Sequence, residues 1–260
     1  MHAIRTNWAD LTKVCLVAMG VVVVALLMGA QPVSGQQPAA GQYSITDLGT
    51  LPGGDLSLAY GINNRGQVVG FSYTASGLPR AFLWEDGEMT DLGTLPGGAD
   101  SSAWGINNRG QVVGASATAS GAAHAFLWED GEMTDLGTLG GDTSFAFGIN
   151  SRGQIVGFSE IALREYHAFL WEDGEMTDLG TLGGDTSFAT GINSRGQVVG
   201  YSTTASGDTH AFLWEDGEMT DLGTLGGANS FALGINNRGQ VVGSSDTASG
   251  DTHAFLWEDG

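Results

Sequence analysis

The sequence predicts an all-β fold: a five-bladed β-propeller built from five four-stranded repeats of about 43 residues, preceded by an N-terminal signal helix. Three observations lead to this prediction. Five near-identical segments follow one another, and each contains four short runs of the kind that form strands. Glycine accounts for 43 of the 260 residues, which disfavours helix. Tandem four-stranded units of this length are typical of propeller blades.

The first 35 residues differ in kind from the rest and predict a secretory signal peptide. Arg5 and Lys13 precede an uncharged stretch at residues 14–30, and Val33 and Gly35 have the spacing that a signal peptidase accepts. We therefore divide the chain into a signal peptide at 1–35, a linker at 36–42 and a repeat domain at 43–260. An uncleaved membrane anchor is the alternative, because the apolar stretch approaches the ~20 residues needed to span a bilayer. Either reading predicts a secreted, extracellular or cell-envelope protein.

The repeats are defined by three strings that recur in register. GIN, followed by NRG or SRG and then QVVG or QIVG, occurs five times, as do DLGTL and AFLWEDG. Successive tryptophans of the last string are 44, 43, 43 and 43 residues apart, and they are Trp84, Trp128, Trp171, Trp214 and Trp257. The one extra residue is a proline, Pro52 or Pro96, in the first two copies. A tolerated insertion predicts a surface loop at this point.

The third copy illustrates the four predicted strands, at residues 132–139, 144–150, 154–160 and 167–173. The tight links between them, such as SRG at 151–153 and EDG at 172–174, supply the positive φ angles that short hairpins need. The AFLW and QIVG runs are apolar at successive positions, which predicts strands buried on both faces. We expect the recurrent tryptophans to belong to the core between blades.

The two ends of the repeat region predict closure of a ring. Residues 43–48 match the second strand of the EDG hairpin, whereas residues 253–260 match its first strand. We therefore expect residues 45–51 to pair with residues 253–259, because each segment would otherwise leave a bare sheet edge. An open β-solenoid, or a fragment cut at a repeat boundary, is the alternative.

Charge excludes several partners. After residue 35 the chain has no lysine and no cysteine, and its seven arginines face 28 acids, a net charge of −21. Such a surface repels nucleic acid and anionic lipid, so we predict neither a nucleic-acid partner nor membrane binding by the mature form. Without disulfides, the stability of the fold must come from its core.

The recurrent motifs resemble the HAF-type extracellular repeat family, named for a His-Ala-Phe triplet. The triplet begins at His124, His167, His210 and His253 and continues as LWEDG, and GIN..GQVVG is the second signature. The first copy departs from the pattern with Arg80 in place of the histidine. The resemblance covers residues 43–260 and implies an exported bacterial or archaeal repeat protein without an established biochemical activity.

Two recurrent polar features could in principle bind metal ions, but both are better explained by a structural or solvent-exposed role. One histidine per repeat gives poor zinc geometry, since zinc needs three or four converging ligands; a histidine at a strand start is the preferred interpretation. The acidic WEDGE tips could collect calcium, which takes six to eight oxygens, but no EF-hand or β-roll spacing is present. We predict no metal site and no cofactor, with calcium at the tips as the alternative.

Near-identical repeats that differ at a few positions suggest a contact surface. A hydrophobic position before GIN changes from copy to copy, and an acid or amide stands a few residues earlier. Aromatic rings that stack on sugars beside polar acceptors are one explanation, and loose packing between blades is the other. The ligand-binding candidates are Asp55, Tyr60, Asp100, Trp104, Asp142, Phe147, Asp185 and Asn229.

The sequence therefore favours an exported, non-enzymatic, multivalent binding module whose partner is a glycan or another repeated extracellular ligand. Equivalent weak sites on one scaffold gain avidity for a repeated ligand. A structural or envelope-surface role is the alternative. A hydrolase or lyase is less favoured, because no nucleophile elbow, phosphate loop or metal-ligand pair is visible, and we assign no catalytic residue.

Overall fold

A computed structural model describes residues 43–162 and 165–258 of the chain. These residues form 19 β-strands and no helix, as the all-β prediction requires. The predicted signal helix and linker, at residues 1–42, lie outside the described residues. Within the described part, no helix is long and apolar enough to cross a membrane.

The strands follow the sequence repeats, and we number the repeats accordingly. Repeat 1 contains β1 (Ser57–Ile62), β2 (Val68–Tyr73), β3 (Pro79–Glu85) and β4 (Glu88–Asp91). Repeat 2 contains β5 (Ser101–Ile106), β6 (Val112–Ala117), β7 (Ala123–Glu129) and β8 (Glu132–Asp135). Repeat 3 contains β9 (Ser144–Ile149), β10 (Ile155–Ala162), β11 (Glu165–Glu172) and β12 (Glu175–Asp178). Repeat 4 contains β13 (Gly183–Ile192), β14 (Val198–Thr204), β15 (Thr209–Glu215) and β16 (Glu218–Asp221). Repeat 5 contains β17 (Gly226–Ile235), β18 (Val241–Thr247) and β19 (Thr252–Trp257).

Within each repeat, consecutive strands pair antiparallel in chain order. The pairings give four sheets rather than five, of four, four, eight and three strands. The eight-stranded sheet contains repeats 3 and 4, which are joined by one parallel pairing between Tyr166 and Thr186. The five-unit strand pattern is thus present, but two of the units share a sheet.

The EDG hairpins confirm the predicted turn chemistry. Asp130 has a φ of 52° and Gly131 a φ of 89°, so both central residues lie in the left-handed region that a type I′ turn requires. Asp86, Asp173 and Asp216 repeat this geometry at the same position. The Asp-Gly pair therefore fixes the register of the third and fourth strands in each of these repeats.

The apolar core lies between consecutive repeats, not within them. Each of the four core clusters combines the same positions of two neighbours. Between repeats 2 and 3, for example, Val113 and Ala125 of repeat 2 pack against Ala146, Ile155 and Phe169 of repeat 3. All five side chains are fully buried. Trp128, Trp171, Trp214 and Trp257 are half-buried against these clusters, in agreement with the predicted core role.

The predicted pairing of residues 45–51 with residues 253–259 is wrong. Residues 45–51 contain no strand, and Ile45 is fully exposed. The strand β19 pairs with β18 alone. The physical reason is that a hairpin sequence specifies only which strand it can pair with, whereas closure also requires the stacked sheets to bring the two segments together.

The strand order places the connections at two ends of the sheets. The turns between first and second strands (NNRG or NSRG) and the EDG turns lie at one end, which we call the asparagine-turn end. The turns between second and third strands and the Gly-Gly loops between repeats lie at the other, the glycine-loop end; Gly53 of one such loop adjoins Ala75 of a second-to-third turn. This confirms the expectation that the Gly-Gly loops and the NRG turns occupy different rims.

Candidate functional site

A ladder of asparagines connects the repeats at the asparagine-turn end. The amide nitrogen of Asn107 donates to the carbonyl oxygen of Asn150 in the next repeat at 3.0 Å, and to Gln111 within its own turn at 2.6 Å. The same inter-repeat bond joins Asn63 to Asn107, Asn150 to Asn193 and Asn193 to Asn236, at 2.9–3.1 Å. The asparagine of each of the first four GIN motifs therefore links the first strand of its repeat to that of the next repeat. Adjacent first strands also contact one another directly.

These turns line a cleft of about 410 Å³, which we call the turn cleft. Residues from four consecutive repeats contribute to it: Asn108, Asn150, Ser151, Ile192, Asn193, Ser194, Ile235, Asn236 and Asn237. Amides and hydroxyls can donate and accept hydrogen bonds without carrying charge, and the two isoleucines supply apolar surface. The lining suits a neutral ligand with both hydroxyl groups and C–H faces.

The variable hydrophobic position has a structural identity that the sequence pattern did not reveal. In every repeat it is the extra residue of a β-bulge in the first strand, as the register shifts between Ala103 and Gly105 around Trp104. Tyr60, Phe147, Thr190 and Leu233 occupy the same bulge in the other repeats. A bulge residue has no cross-strand partner and its side chain is re-aimed, so its identity is freer than that of its neighbours.

The bulge side chains of repeats 2, 3 and 4 contact neighbouring repeats. Trp104 packs edge-on to Phe147 of the next repeat, with ring centroids 5.4 Å apart, and Phe147 also lies 5.7 Å from Phe158 of its own repeat. The hydroxyl of Thr190 donates to the carbonyl oxygen of Ala232 in the next repeat at 2.9 Å. Tyr60 and Leu233, in the first and last repeats, are the exposed members of the set.

The acidic candidates lie at the glycine-loop end, four or five residues before the bulge. At about 3.3 Å per strand residue, the acid and the aromatic of one repeat are roughly 13 Å or more apart along the strand. The structure thus brings the aromatics Trp104 and Phe147 together, but separates each from the acid of its own repeat. Glycan contact by these residues stays a prediction.

These polar candidates, four aspartates and one asparagine, also differ from one another. Asp55, Asp142 and Asp185 are exposed. The side chain of Asn229 accepts a hydrogen bond from the backbone of Thr209 and donates one to Asp246. Hydrogen bonds from Asn229, and then from Thr252, hold the pKa of Asp246 below its usual range.

Asp100 is the exception, because it is buried. Burial raises the pKa of its carboxyl above the usual 3.8, and the positive charge of Arg80 opposes this shift. Within the described chain, Asp100 Oδ1 and Arg80 Nε are buried without a hydrogen-bond partner. Asp100 is therefore a desolvated carboxylate beside the residue that replaces histidine in the first repeat, not an open ligand site.

The histidines pair with aspartates that sequence reasoning overlooked. His124 Nδ1 lies 2.9 Å from Asp135, and the pairs His167–Asp178 and His210–Asp221 repeat this contact at 2.8 and 2.7 Å. The constant spacing of 11 residues between the partners was the available signal. Among the described residues, no three His, Cys, Asp or Glu side chains are grouped as metal ligands.

Comparisons with known proteins bear on the fold alone. No model of a protein family matches the chain, and no curated protein matches it. Among solved structures, the β-propeller domain of the Trilobed protease from Pyrococcus furiosus, described as having an open velcro topology, is similar with a TM-score of 0.53 and 14% identity, over 79% of this chain and 67% of that one.

TolB from Acinetobacter baumannii is similar with a TM-score of 0.51 and 10% identity, over 79% of this chain. The chain spans only 55% of the length of that TolB. The SapL1 lectin in complex with alpha methyl fucoside is more distant, with a TM-score of 0.41 and 10% identity, over 78% of this chain and 81% of the lectin. The likeness is to the propeller fold, which both binding proteins and enzymes adopt.

Proposed function

We propose that the chain is a non-catalytic binding module that takes a neutral, hydroxyl-rich ligand, such as a glycan, in the turn cleft. The observation that carries this proposal is the lining of the cleft, where uncharged amides and hydroxyls from four repeats surround Ile192 and Ile235. Its volume of about 410 Å³ falls within the range of small-molecule sites, roughly 300–1,000 Å³. Sugars match such a lining, since their rings carry hydroxyls at the edge and C–H groups on the face.

The proposal extends to architecture and location. We infer that the five repeats act as five blades of a propeller, that the chain belongs to the HAF-type repeats on the strength of its recurring motifs, and that it is exported through its N-terminal segment. The glycine-loop end, with the acid and amide candidates Asp55, Asp142, Asp185 and Asn229, is the second surface for the same ligand class. Repeated weak contacts there would add avidity for a repeated glycan.

A glycan array tests the proposal, with Ser151→Trp as the decisive variant. Ser151 is exposed and lines the cleft, so an indole there fills the site while the first strand remains intact. Thr134→Trp is the matched control, because Thr134 is exposed on the fourth strand β8 and does not line the cleft. We expect Ser151→Trp to abolish binding and Thr134→Trp to leave it unchanged.

Other outcomes have definite meanings. Binding that survives Ser151→Trp but is lost in Asp142→Ala would move the site to the glycine-loop end. The absence of any glycan hit for the folded protein would overturn the proposal and leave a structural surface role as the better account.

A further inference from the structure

One position of the asparagine-rich turns differs among the repeats, and it controls a hydrogen bond between neighbouring turns. The second residue of the turn is an asparagine in repeats 1, 2 and 5 and a serine in repeats 3 and 4, in the order Asn64, Asn108, Ser151, Ser194 and Asn237. The Oδ1 of Asn108 accepts the backbone N–H of Asn64 at 2.9 Å. The Oδ1 of Asn237 accepts that of Ser194 at 3.0 Å. An asparagine at this position therefore occupies the N–H of the turn before it.

The two serines leave this bond unmade. A serine hydroxyl lies one bond closer to the backbone than an asparagine Oδ1, so Ser151 does not reach the N–H of Asn108, and Ser194 does not reach that of Ser151. Among residues 43–162 and 165–258, neither of these two N–H groups has an acceptor. Asn108 and Ser151 both line the turn cleft. The cleft thus contains two unused backbone donors, which come from consecutive repeats in the interior of the array.

The bonds made elsewhere in the chain indicate which ligand group suits these donors. Where the bond is made, the acceptor is the neutral carboxamide oxygen of an asparagine side chain. An acetamido group presents the same C=O on a small neutral unit, and its methyl group can pack against Ile192, which also lines the cleft. A carboxylate presents oxygens too, but the acids of the EDG turns lie at this end of the sheets and oppose an added negative charge.

We propose that the turn cleft selects N-acetylated amino sugars, whose acetamido carbonyls accept the N–H groups of Asn108 and Ser151. Each carbonyl takes the place of an asparagine side chain that repeats 3 and 4 lack. The inference rests on the proposed function, the binding of a neutral glycan in this cleft, and it specifies the sugar class. Ser151 and Ser194 are then the residues that determine specificity, because their short side chains leave the donors open.

Calorimetric titration with triacetylchitotriose and with cellotriose tests the selectivity. These neutral sugars share one backbone and differ in carrying acetamido groups or hydroxyls at the 2-positions. We expect the acetylated sugar to bind about tenfold more tightly or better, which corresponds to roughly one additional hydrogen bond. Trigalacturonate is the third ligand. Tighter binding of trigalacturonate than of triacetylchitotriose would show that the donors take a carboxylate and would overturn the acetamido assignment.

Ser151→Asn and Ser194→Asn are the informative variants, because each introduces the residue that repeats 1, 2 and 5 carry at this position. Ser151→Asn should engage the N–H of Asn108, and Ser194→Asn that of Ser151. Each should lower the affinity for triacetylchitotriose about tenfold while changing that for cellotriose less. Ser76→Asn is the matched control, since Ser76 is exposed in the turn between β2 and β3 at the glycine-loop end, and it should leave both affinities unchanged.

Amide hydrogen exchange tests the open donors without a ligand. Relative to their intrinsic rates, the N–H groups of Asn108 and Ser151 should exchange faster than those of Asn64 and Ser194, which have side-chain acceptors. Ser151→Asn should slow exchange at Asn108, and triacetylchitotriose should slow it at Asn108 and Ser151 in the wild type. Equal protection of all four groups in the free wild type would overturn the proposal.

The remaining outcomes separate this inference from the function on which it rests. If cellotriose binds as tightly as triacetylchitotriose and Ser151→Trp abolishes both, the cleft binds glycans without this selectivity, and the inference alone fails. An equal loss of both sugars in Ser151→Asn would indicate steric closure of the cleft and would overturn the role of the N–H groups. If the folded wild type binds no glycan at all, the inference and the proposed function fail together.

Discussion

Asp135 holds His124 across the hairpin of β7 and β8, with Nδ1 of the histidine 2.9 Å from both carboxylate oxygens. The same carboxylate also accepts the backbone N–H of Gly137 at 2.8 Å, at the start of the inter-repeat loop. The second bond recurs in the first repeat, between Asp91 and Gly93, where Arg80 stands in place of the histidine. The aspartate thus shapes the loop in both cases, which explains why the histidine is replaceable and the aspartate recurs.

This relationship predicts unequal effects of two alanine substitutions. We expect Asp135→Ala to lower the free energy of unfolding by about 1 kcal/mol, because it removes the bond that orders the loop. His124→Ala should cost less than about 0.5 kcal/mol, since the pair is partly exposed to solvent. Urea denaturation of both variants measures the difference, and an equal or larger loss for His124→Ala would contradict this assignment.

Ser144→Ala should be far more costly than the same change at Ser57. Ser144 is fully buried, and its hydroxyl accepts the N–H of Ala125 and donates to the carbonyl of Gly137. Its loss leaves the buried N–H of Ala125 without this partner and removes the bond to Gly137, at a cost of about 1–3 kcal/mol. Among the described residues, Ser57 donates to Gly49 at an exposed position, so Ser57→Ala should remain within about 0.5 kcal/mol of wild type. Urea denaturation of the two variants compares these losses.

Asp100→Asn should stabilise the protein at neutral pH. Burial raises the pKa of Asp100 in the folded state, so the folded state binds the proton more tightly than the unfolded state. Stability is therefore lost as the pH rises from the usual 3.8 through the raised folded pKa, and the penalty persists at neutral pH. Thermal unfolding of wild type and Asp100→Asn should diverge over this window. If wild type is the more stable at neutral pH, attraction to Arg80 outweighs burial.

Gly114→Ala tests the close packing of the QVVG strand. A methyl group at Gly114 would overlap the carbonyl oxygen of Ser102 and approach the ring of Phe126. We expect a loss of about 3 kcal/mol or more, because neither the backbone nor the buried ring can move freely. At Gly131 the added methyl has open space and only the positive φ is strained, so Gly131→Ala should cost about 1 kcal/mol. Comparable losses would contradict the packing argument.

Added salt should stabilise the fold. The chain carries a net charge of −20, and repulsion among its acids falls as the screening length shortens from ~30 Å at 0.01 M to ~10 Å at 0.1 M salt. We expect the melting temperature to rise over this range of sodium chloride. A fall would count against charge repulsion, whereas a much larger rise with calcium at matched ionic strength would indicate specific binding at the acidic turns.

Local features were predictable from sequence, and long-range ones were not. The Asp130-Gly131 pair predicts its turn, because aspartate and glycine are among the residues that most readily adopt left-handed φ angles. The bulge at Trp104 was not predicted. The alternation of apolar and polar residues along a strand does not show which residue lacks a partner on the neighbouring strand. The ligand candidates drew on that same position, where Trp104 and Phe147 pack against each other between repeats 2 and 3. The predicted pairing of residues 45–51 with residues 253–259 was wrong, because no single repeat encodes how the four sheets are arranged together.

The shared core has a consequence for how the molecule opens. Each cluster combines side chains of one repeat with side chains of the next, so none of the four clusters belongs to a single repeat. Among the described residues, repeats 2, 3 and 4 each contribute to two clusters, whereas repeats 1 and 5 each contribute to one. Local opening of an interior repeat therefore disrupts two clusters, and amide protons in β10 should exchange more slowly than those in β2 or β18. By the same logic, gain or loss of a whole repeat during evolution changes the length of the stack while leaving every remaining junction chemically the same.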